Sequence, residues 1–281
     1  MRIPFRFLIL ALSFVVVATS GRSQTETKEA ANPGESADMQ NAPSSQTSVQ
    51  PHQEEEVFNL SGYEPLYFIF GKPSKVKASF KYRLIKKIDF YFGYNQYVFW
   101  EIGQDSTPFQ DVTYSPEFFY RWKVSPDHFV RSLDIIPYWH MSNGKKSETS
   151  RSLDRAAVQA NFIQPIKNDV FRMSIRLSTP SYNLDNTNLD IRQYVGPWEV
   201  RASYSEIPIW FIKRCEVSVR YYTGGSFGQR FRRGGREIGI SFPLSALQLN
   251  QAVYIQYFEG NAENLIHYNG YSRHLRMGLR L

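Results

Sequence analysis

The sequence predicts an all-β protein, a transmembrane antiparallel β-barrel of about twelve strands. Three observations predict it: apolar and polar residues alternate with period two over long stretches, arginine and lysine fill the polar positions, and no run beyond the N-terminal segment is apolar for the length of a membrane-spanning helix. Strands with one apolar and one charged face place lipid outside and a charge-paired lumen inside. A mean hydropathy of -0.41 does not exclude this, because alternation averages out. Aromatic residues make up 16% of the chain, high for a soluble domain of average composition. A soluble β-sandwich would bury the same apolar faces against each other and show the arginines to water.

Taken in order, residues 1–20 read as a secretory signal, with Arg2 and Arg6 ahead of an apolar run from Phe7 to Ala18 and small residues after it. Residues 21–56 lack any aromatic and are rich in Ser, Gln, Glu, Asn and Pro. Such a segment cannot bury enough apolar area to offset its ordering entropy, so it is expected to be a disordered periplasmic leader. Residues 57–281 form one domain. Val76, Ala78, Phe80, Tyr82 and Leu84 alternate with Lys77, Ser79, Lys81 and Arg83. Phe171, Met173, Ile175 and Leu177 alternate with Arg172, Ser174 and Arg176, and Leu275, Met277 and Leu279 with Arg276, Gly278 and Arg280. Turn signals at Asn143-Gly144, Gly224-Gly225 and Gly234-Gly235 punctuate the runs. At roughly 18 to 20 residues for each strand and turn, the domain holds about twelve strands, an even number.

Much of the net charge of +7 thus falls in the lumen, and export removes nucleic acid as a partner. The one cysteine, Cys215, excludes an internal disulfide framework and a Cys-rich zinc site. No HExxH metal spacing, phosphate loop or G-x-S-x-G elbow occurs.

The chemistry-bearing stretch runs from Pro137 to Arg155. On the first strand Ile136, Tyr138, His140 and Ser142 are read as sharing a face. On the second, Ser150, Ser152, Asp154, Ala156 and Val158 share one, opposite Arg151, Arg155 and Gln159, so the even-numbered face is the lipid side. His140 and Ser142 lie about 7 Å apart along a strand. Strands joined by the loop from Asn143 to Thr149 are antiparallel neighbours, so Asp154 can hold the His140 tautomer. That is the logic of nucleophile, base and orienting acid. From the residues alone this triad and a bland surface histidine at a strand end both stay open.

Further residues carry a family resemblance. HxSNG at His140 to Gly144 is followed by SRSxxR at Ser150 to Arg155. YxQ occurs at Tyr94 to Gln96 with Trp100 beyond it, and Ser106-Thr107-Pro108-Phe109 precedes Tyr114-Ser115-Pro116. The segment YIQYFEGNAENLIHYN spans Tyr254 to Asn269. With these the chain, from about Tyr63 to Leu281, resembles the outer membrane phospholipase A family.

The resemblance implies a serine carboxylic-ester hydrolase on a barrel in the cell outer membrane. It would cleave sn-1 and sn-2 acyl esters of phospholipids and lysophospholipids, depend on Ca2+ and act as a calcium-linked homodimer. It implies Ser142 as nucleophile, His140 as general base and the Gly144 N–H as oxyanion donor. Calcium would be held by the Ser150 hydroxyl, the Lys145 carbonyl and the carbonyl of Ser106 from the second subunit, hard oxygen donors that suit this ion. Gln96, polar on a lipid-facing strand, would hydrogen-bond across the dimer interface. The chain departs from the family pattern at Asp154, where asparagine is common, at Lys145 for arginine, and at Leu281 for a terminal aromatic. A Ser-His-Asp triad is still expected to work. A passive or catalytically degenerate barrel is the alternative, and the polar cluster on a lipid face argues against it.

Overall fold

The computed structural model describes residues 59–85, 87–124, 127–166, 169–182, 188–209, 212–225, 233–244 and 251–281. The signal and leader expected at residues 1–56 lie outside them. The strands are β1 (Leu60–Ser61), β2 (Tyr67–Phe70), β3 (Ser74–Ile85), β4 (Phe90–Trp100), β5 (Phe109–Lys123), β6 (Val130–Ser142) and β7 (Ser152–Ile166). They continue with β8 (Asp169–Ser178), β9 (Trp198–Ile209), β10 (Ile212–Thr223), β11 (Gly234–Pro243), β12 (Ala252–Gly260) and β13 (Ser272–Arg280). Each strand from β3 to β13 pairs antiparallel with the next, β13 pairs with β2, and β2 pairs with β3, so the sheet closes on itself. β1 and β2 both lie against β3, Leu60 opposite Tyr82 and Tyr67 opposite Lys77. They are halves of one interrupted stave, which makes a barrel of 12. Closure leaves no sheet edge to be satisfied in hydrocarbon.

The two faces follow the alternation. Leu275 is 70% exposed on the outside while its neighbour Arg276 is 1% exposed inside. Inward charges are paired: Arg176 with Glu117 at 3.1 Å, and Lys75 with Glu237 at 3.1 Å and Glu263 at 3.3 Å. Between β1 and β2, Tyr63 leaves the wall to stack on Phe119 at 5.4 Å, and Glu64 pairs with Lys77 and Arg201. Among the described residues no helix is long and apolar enough to cross a membrane.

At one end β3 is followed by β4, β5 by β6, β7 by β8 and β9 by β10 with few residues between them in the sequence, so this is the short-turn end. Loops 101–108, 143–151 and 261–271 gather at the other, together with residues 179–182 after β8 and 188–197 before β9, the arrangement in which the long loops are extracellular. Loop 261–271 is anchored by Glu263, which accepts from Arg276 at 2.6 Å and contacts His274 at 2.7 Å. Burial pushes this carboxyl up, but Lys75, His274 and Arg276 outweigh it and hold it below the usual carboxylate range. The stabilisation is therefore fully present above the unfolded value of about 4.3 and is lost as pH falls through the lower folded value.

The structure corrects the reading of β6. Ile136 does not share a face with Tyr138, His140 and Ser142: it is 1% exposed and points inward, while Ile135 is 46% exposed. A bulge is the cause. From Ile136 to Trp139 β6 advances by three residues while β7 advances by two, from Ala157 to Arg155, and the pairing with β5 shows the same shift. Pro137 lies in this bulge, where a residue without an N–H costs the ladder nothing. Below it even-numbered residues such as Asp134 face the lumen. Above it odd-numbered residues do, and His140 and Ser142 face out.

Candidate active site

β6 and β7 set His140 opposite Asp154 and Ser142 opposite Ser152. The His140 Nδ1 lies 2.7 Å from the Asp154 carboxylate, which leaves Nε2 as the nitrogen turned away from the acid. Asp154 is on the outward face yet only 5% exposed. Ser181 accepts its N–H at 3.1 Å, Tyr182 donates to its carbonyl at 3.1 Å, and the Tyr138 hydroxyl bonds to its side chain. The Tyr138 ring also stacks on His140 at 6.3 Å. The carboxylate on a lipid-facing stripe thus has His140 and Tyr138 as polar partners, while Ser181 and Tyr182 satisfy its backbone, the condition under which a charge is tolerated there.

The Gly144 N–H donates to Ser142 Oγ at 3.2 Å. Gly144 has a φ of 65°, and a Cβ on it would meet the Tyr114 ring at 3.1 Å. Both facts call for glycine at this position. Asn143 fixes the loop around it. Its side chain donates to the Thr149 carbonyl at 2.9 Å and accepts the N–H groups of Arg151 at 3.0 Å and Lys145 at 3.3 Å. Asn143→Ala is expected to cost about 2 kcal/mol of local stability, read as faster amide exchange over residues 143–151 with the strands unchanged.

Lys145 and Ser150 share this loop, on either side of a 3-10 turn at Ser147–Thr149. The Lys145 ammonium reaches the Gln110 carbonyl at 3.0 Å and lies 3.9 Å from Asp111, which is fully buried. Asp111 also accepts the N–H groups of Leu265 and Ile266, at 3.0 and 3.1 Å, and so ties loop 261–271 to the active-site loop. Ser106 sits on a separate loop, 101–108, with a φ of 61°. Gln96 faces out on β4, opposite Tyr114, which is opposite Ser142. Its side-chain oxygen accepts from Tyr94 at 3.2 Å.

The structure therefore brings together His140 with Asp154 and Ser142 with Gly144, and puts Gln96 in the same circumferential row. Sequence reading missed Asn143, Asp111, Tyr138 and Ser181 as supporting residues. Asn143 carried a legible signal, an Asn-Gly pair in a hairpin loop, whereas the others act through contacts distant in sequence. Among the described residues no group of three or more His, Cys, Asp or Glu could hold a metal. The donors at hand are neutral oxygens, the Lys145 carbonyl and the Ser150 hydroxyl, and the Lys145 charge is drawn toward Asp111. That chemistry fits a hard cation such as calcium.

The Phospholipase A1 family model matches residues 72–281. The chain belongs to this family. It is 26% identical over 199 residues to Phospholipase A1 of Escherichia coli strain K12, a match covering 67% of this chain and 60% of that protein. The chain spans about 60% of the length of such curated relatives. Two solved structures share the fold. The outer membrane phospholipase A of Escherichia coli superposes with a TM-score of 0.67 at 22% identity, over 80% of this chain and 98% of that one. A Salmonella typhi outer membrane phospholipase dimer with bound calcium gives 0.68 at 21% identity, over 81% and 94%. With this closed barrel, its apolar outer face and its charged lumen, this member of the family is a multi-pass outer-membrane protein.

Proposed function

We propose that the protein hydrolyses acyl esters of phospholipids and lysophospholipids, at sn-1 and sn-2, with Ser142, His140 and Asp154 as its triad. The observation that carries this is the 2.7 Å contact of His140 Nδ1 with a buried Asp154 on the outer face of the barrel, two residues from Ser142. A passive barrel has no use for a carboxylate held in that position.

Ser142 Oγ attacks the ester carbonyl, and His140 Nε2 takes its proton and gives it to the leaving alcohol; a water, deprotonated by the same nitrogen, then cleaves the acyl ester on Ser142, and the proton returns to the serine oxygen as the fatty acid leaves. Asp154 keeps the second proton on Nδ1 and stabilises the imidazolium. The Gly144 N–H, already on Ser142 Oγ, is placed to donate to the oxyanion that forms beside the nucleophile. Lipid reaches the site laterally because all three side chains face outward.

Calcium would be held by the Lys145 carbonyl and the Ser150 hydroxyl, with Ser106 contributed by a second copy of the chain, and would supply positive charge near the developing oxyanion. The dimer would place Gln96 against its counterpart, where side-chain amides in an apolar contact satisfy each other for about 1 kcal/mol each. Residues 1–20 would serve as the export signal and 21–56 as a leader to the barrel at 57–281.

The test is acyl-ester hydrolysis in detergent micelles, with calcium and with chelator. Turnover that needs calcium is the expected result, and equal turnover with chelator would remove the cation from the reading. Ser150→Ala is expected to raise the calcium concentration for half-maximal activity about tenfold or more while leaving the saturated rate largely intact. An unchanged calcium titration would remove Ser150 from the ligand set.

A further inference from the structure

Hydrolysis on the outer face makes no use of the lumen at the short-turn end, where the barrel encloses a cavity of ≈ 880 Å³. That volume falls in the roughly 300–1,000 Å³ range of small-molecule sites. Nine lysine and arginine side chains line it against three glutamates. Some of this charge is neutralised locally. Arg280 pairs with Glu216 at 2.7 Å, Arg121 with Asp134 at 2.7 Å, and Lys77 with Glu64.

Three cations have no carboxylate at ion-pair distance among the described residues: Lys81, Arg131 and Arg172. Lys81 rests 6.0 Å from the ring centres of Tyr63 and Tyr91. The Arg131 Nε is buried without a hydrogen-bond partner. Arg172 is exposed on β8 opposite Ile163, and β7 separates it from the strand of Arg131. Toward the loop end the lumen narrows to a cavity of ≈ 70 Å³ whose wall includes Arg176. There the ion pairs of Arg176 with Glu117 and of Lys75 with Glu237 and Glu263 crowd the bore. Among the described residues the cationic space is thus a pocket open to the short-turn side and filled with protein beyond.

Unpaired like charges inside low-dielectric walls repel one another, and a concave wall of one sign focuses its field on the space it encloses. An anion with several charges offsets that repulsion, and one with several oxygens meets the free donors of Arg131 and Arg172. We propose that this vestibule is a binding site for a small, multiply charged phosphate-type anion, entering from the short-turn end. The wall is a continuous hydrogen-bonded sheet, so a headgroup still attached to a bilayer lipid has no lateral way in. The occupant is a free anion.

The test is calorimetric titration of the full chain, folded in nonionic micelles with chelator present, using inorganic pyrophosphate. Saturable binding of one pyrophosphate per chain is expected, weakening as salt rises. The combined Lys81→Ala, Arg131→Ala and Arg172→Ala variant is expected to bind about tenfold or more weakly. Heat-modifiable gel mobility checks that it is folded. Arg172→Gln alone changes an exposed, unpaired side chain and is expected to weaken binding by about threefold. Doping the micelles with phosphatidic acid should not displace the pyrophosphate. Absence of saturable binding, wild-type affinity in the folded triple variant or in Arg172→Gln, or displacement by phosphatidic acid would each overturn the proposal.

Discussion

Ser142→Ala is expected to lower calcium-dependent acyl-ester hydrolysis by about 10⁴-fold or more while the barrel folds as before. The serine lies on the outer face at the loop end of β6, so losing one oxygen removes the Gly144 hydrogen bond at 3.2 Å and little packing. Turnover within tenfold of the parent, in protein that still shows heat-modifiable mobility, would mean that another group is the nucleophile. Asp154→Asn and Asp154→Ala divide the role of the acid. An amide can still accept from Nδ1–H, and the family often has asparagine here, so Asn should keep much of the rate. Ala removes the orienting group and should cost about 10³-fold. Equal loss in both would assign the effect to the charge itself.

Much of this site was legible because its geometry is local. The period-two alternation around Asp154 fixed its face, and one hairpin connects His140 to Asp154, so facing strands bring them together once register is set. The wrong placement of Ile136 came from carrying one alternation through Pro137. A bulge shifts parity without changing the residue pattern on either side, and proline in mid-strand was its only trace. Other features depend on contacts that no local pattern encodes. The Asp154 backbone is held by Ser181 and Tyr182, which lie beyond the end of β8. Gln96 and Ser142 fall in one row only because Tyr114 stands between them in the ladder. The link from Lys145 through Asp111 to Leu265 joins loops more than a hundred residues apart. The twelve-fold count was legible, but not that one stave is broken between Ser61 and Tyr67 so that Tyr63 can enter the lumen.

That intrusion leads to the largest expected effect on stability. Glu117 is fully buried, accepts from Arg176 at 3.1 and 3.4 Å, and receives the Tyr63 hydroxyl. Arg176 also donates to Gln159 at 2.7 Å. Two guanidinium groups lie against the Trp139 ring, Arg155 at 3.9 Å and Arg176 at 4.6 Å from its centre, while its ring N–H reaches Ser115 at 2.9 Å. Arg176→Met leaves a carboxylate without its cation in a space too crowded to hydrate it freely, and should cost about 3–5 kcal/mol. Replacing both partners, as Arg176→Met with Glu117→Leu, removes the stranded charge and should recover most of that loss, because a buried pair is worth little beyond an apolar pair of similar volume. Reversible urea unfolding in micelles measures both variants. A cost under about 1 kcal/mol for Arg176→Met would show that water or Tyr63 already satisfies Glu117. Trp139 precedes His140 on the bulged strand and faces the opposite side of the wall, so the same variants couple the lumen to the outer face. If the guanidinium stack holds the upper half of β6 in register, Arg176→Met lowers kcat in the protein that remains folded, and the double variant, which restores charge balance but not the stack, does not bring kcat back.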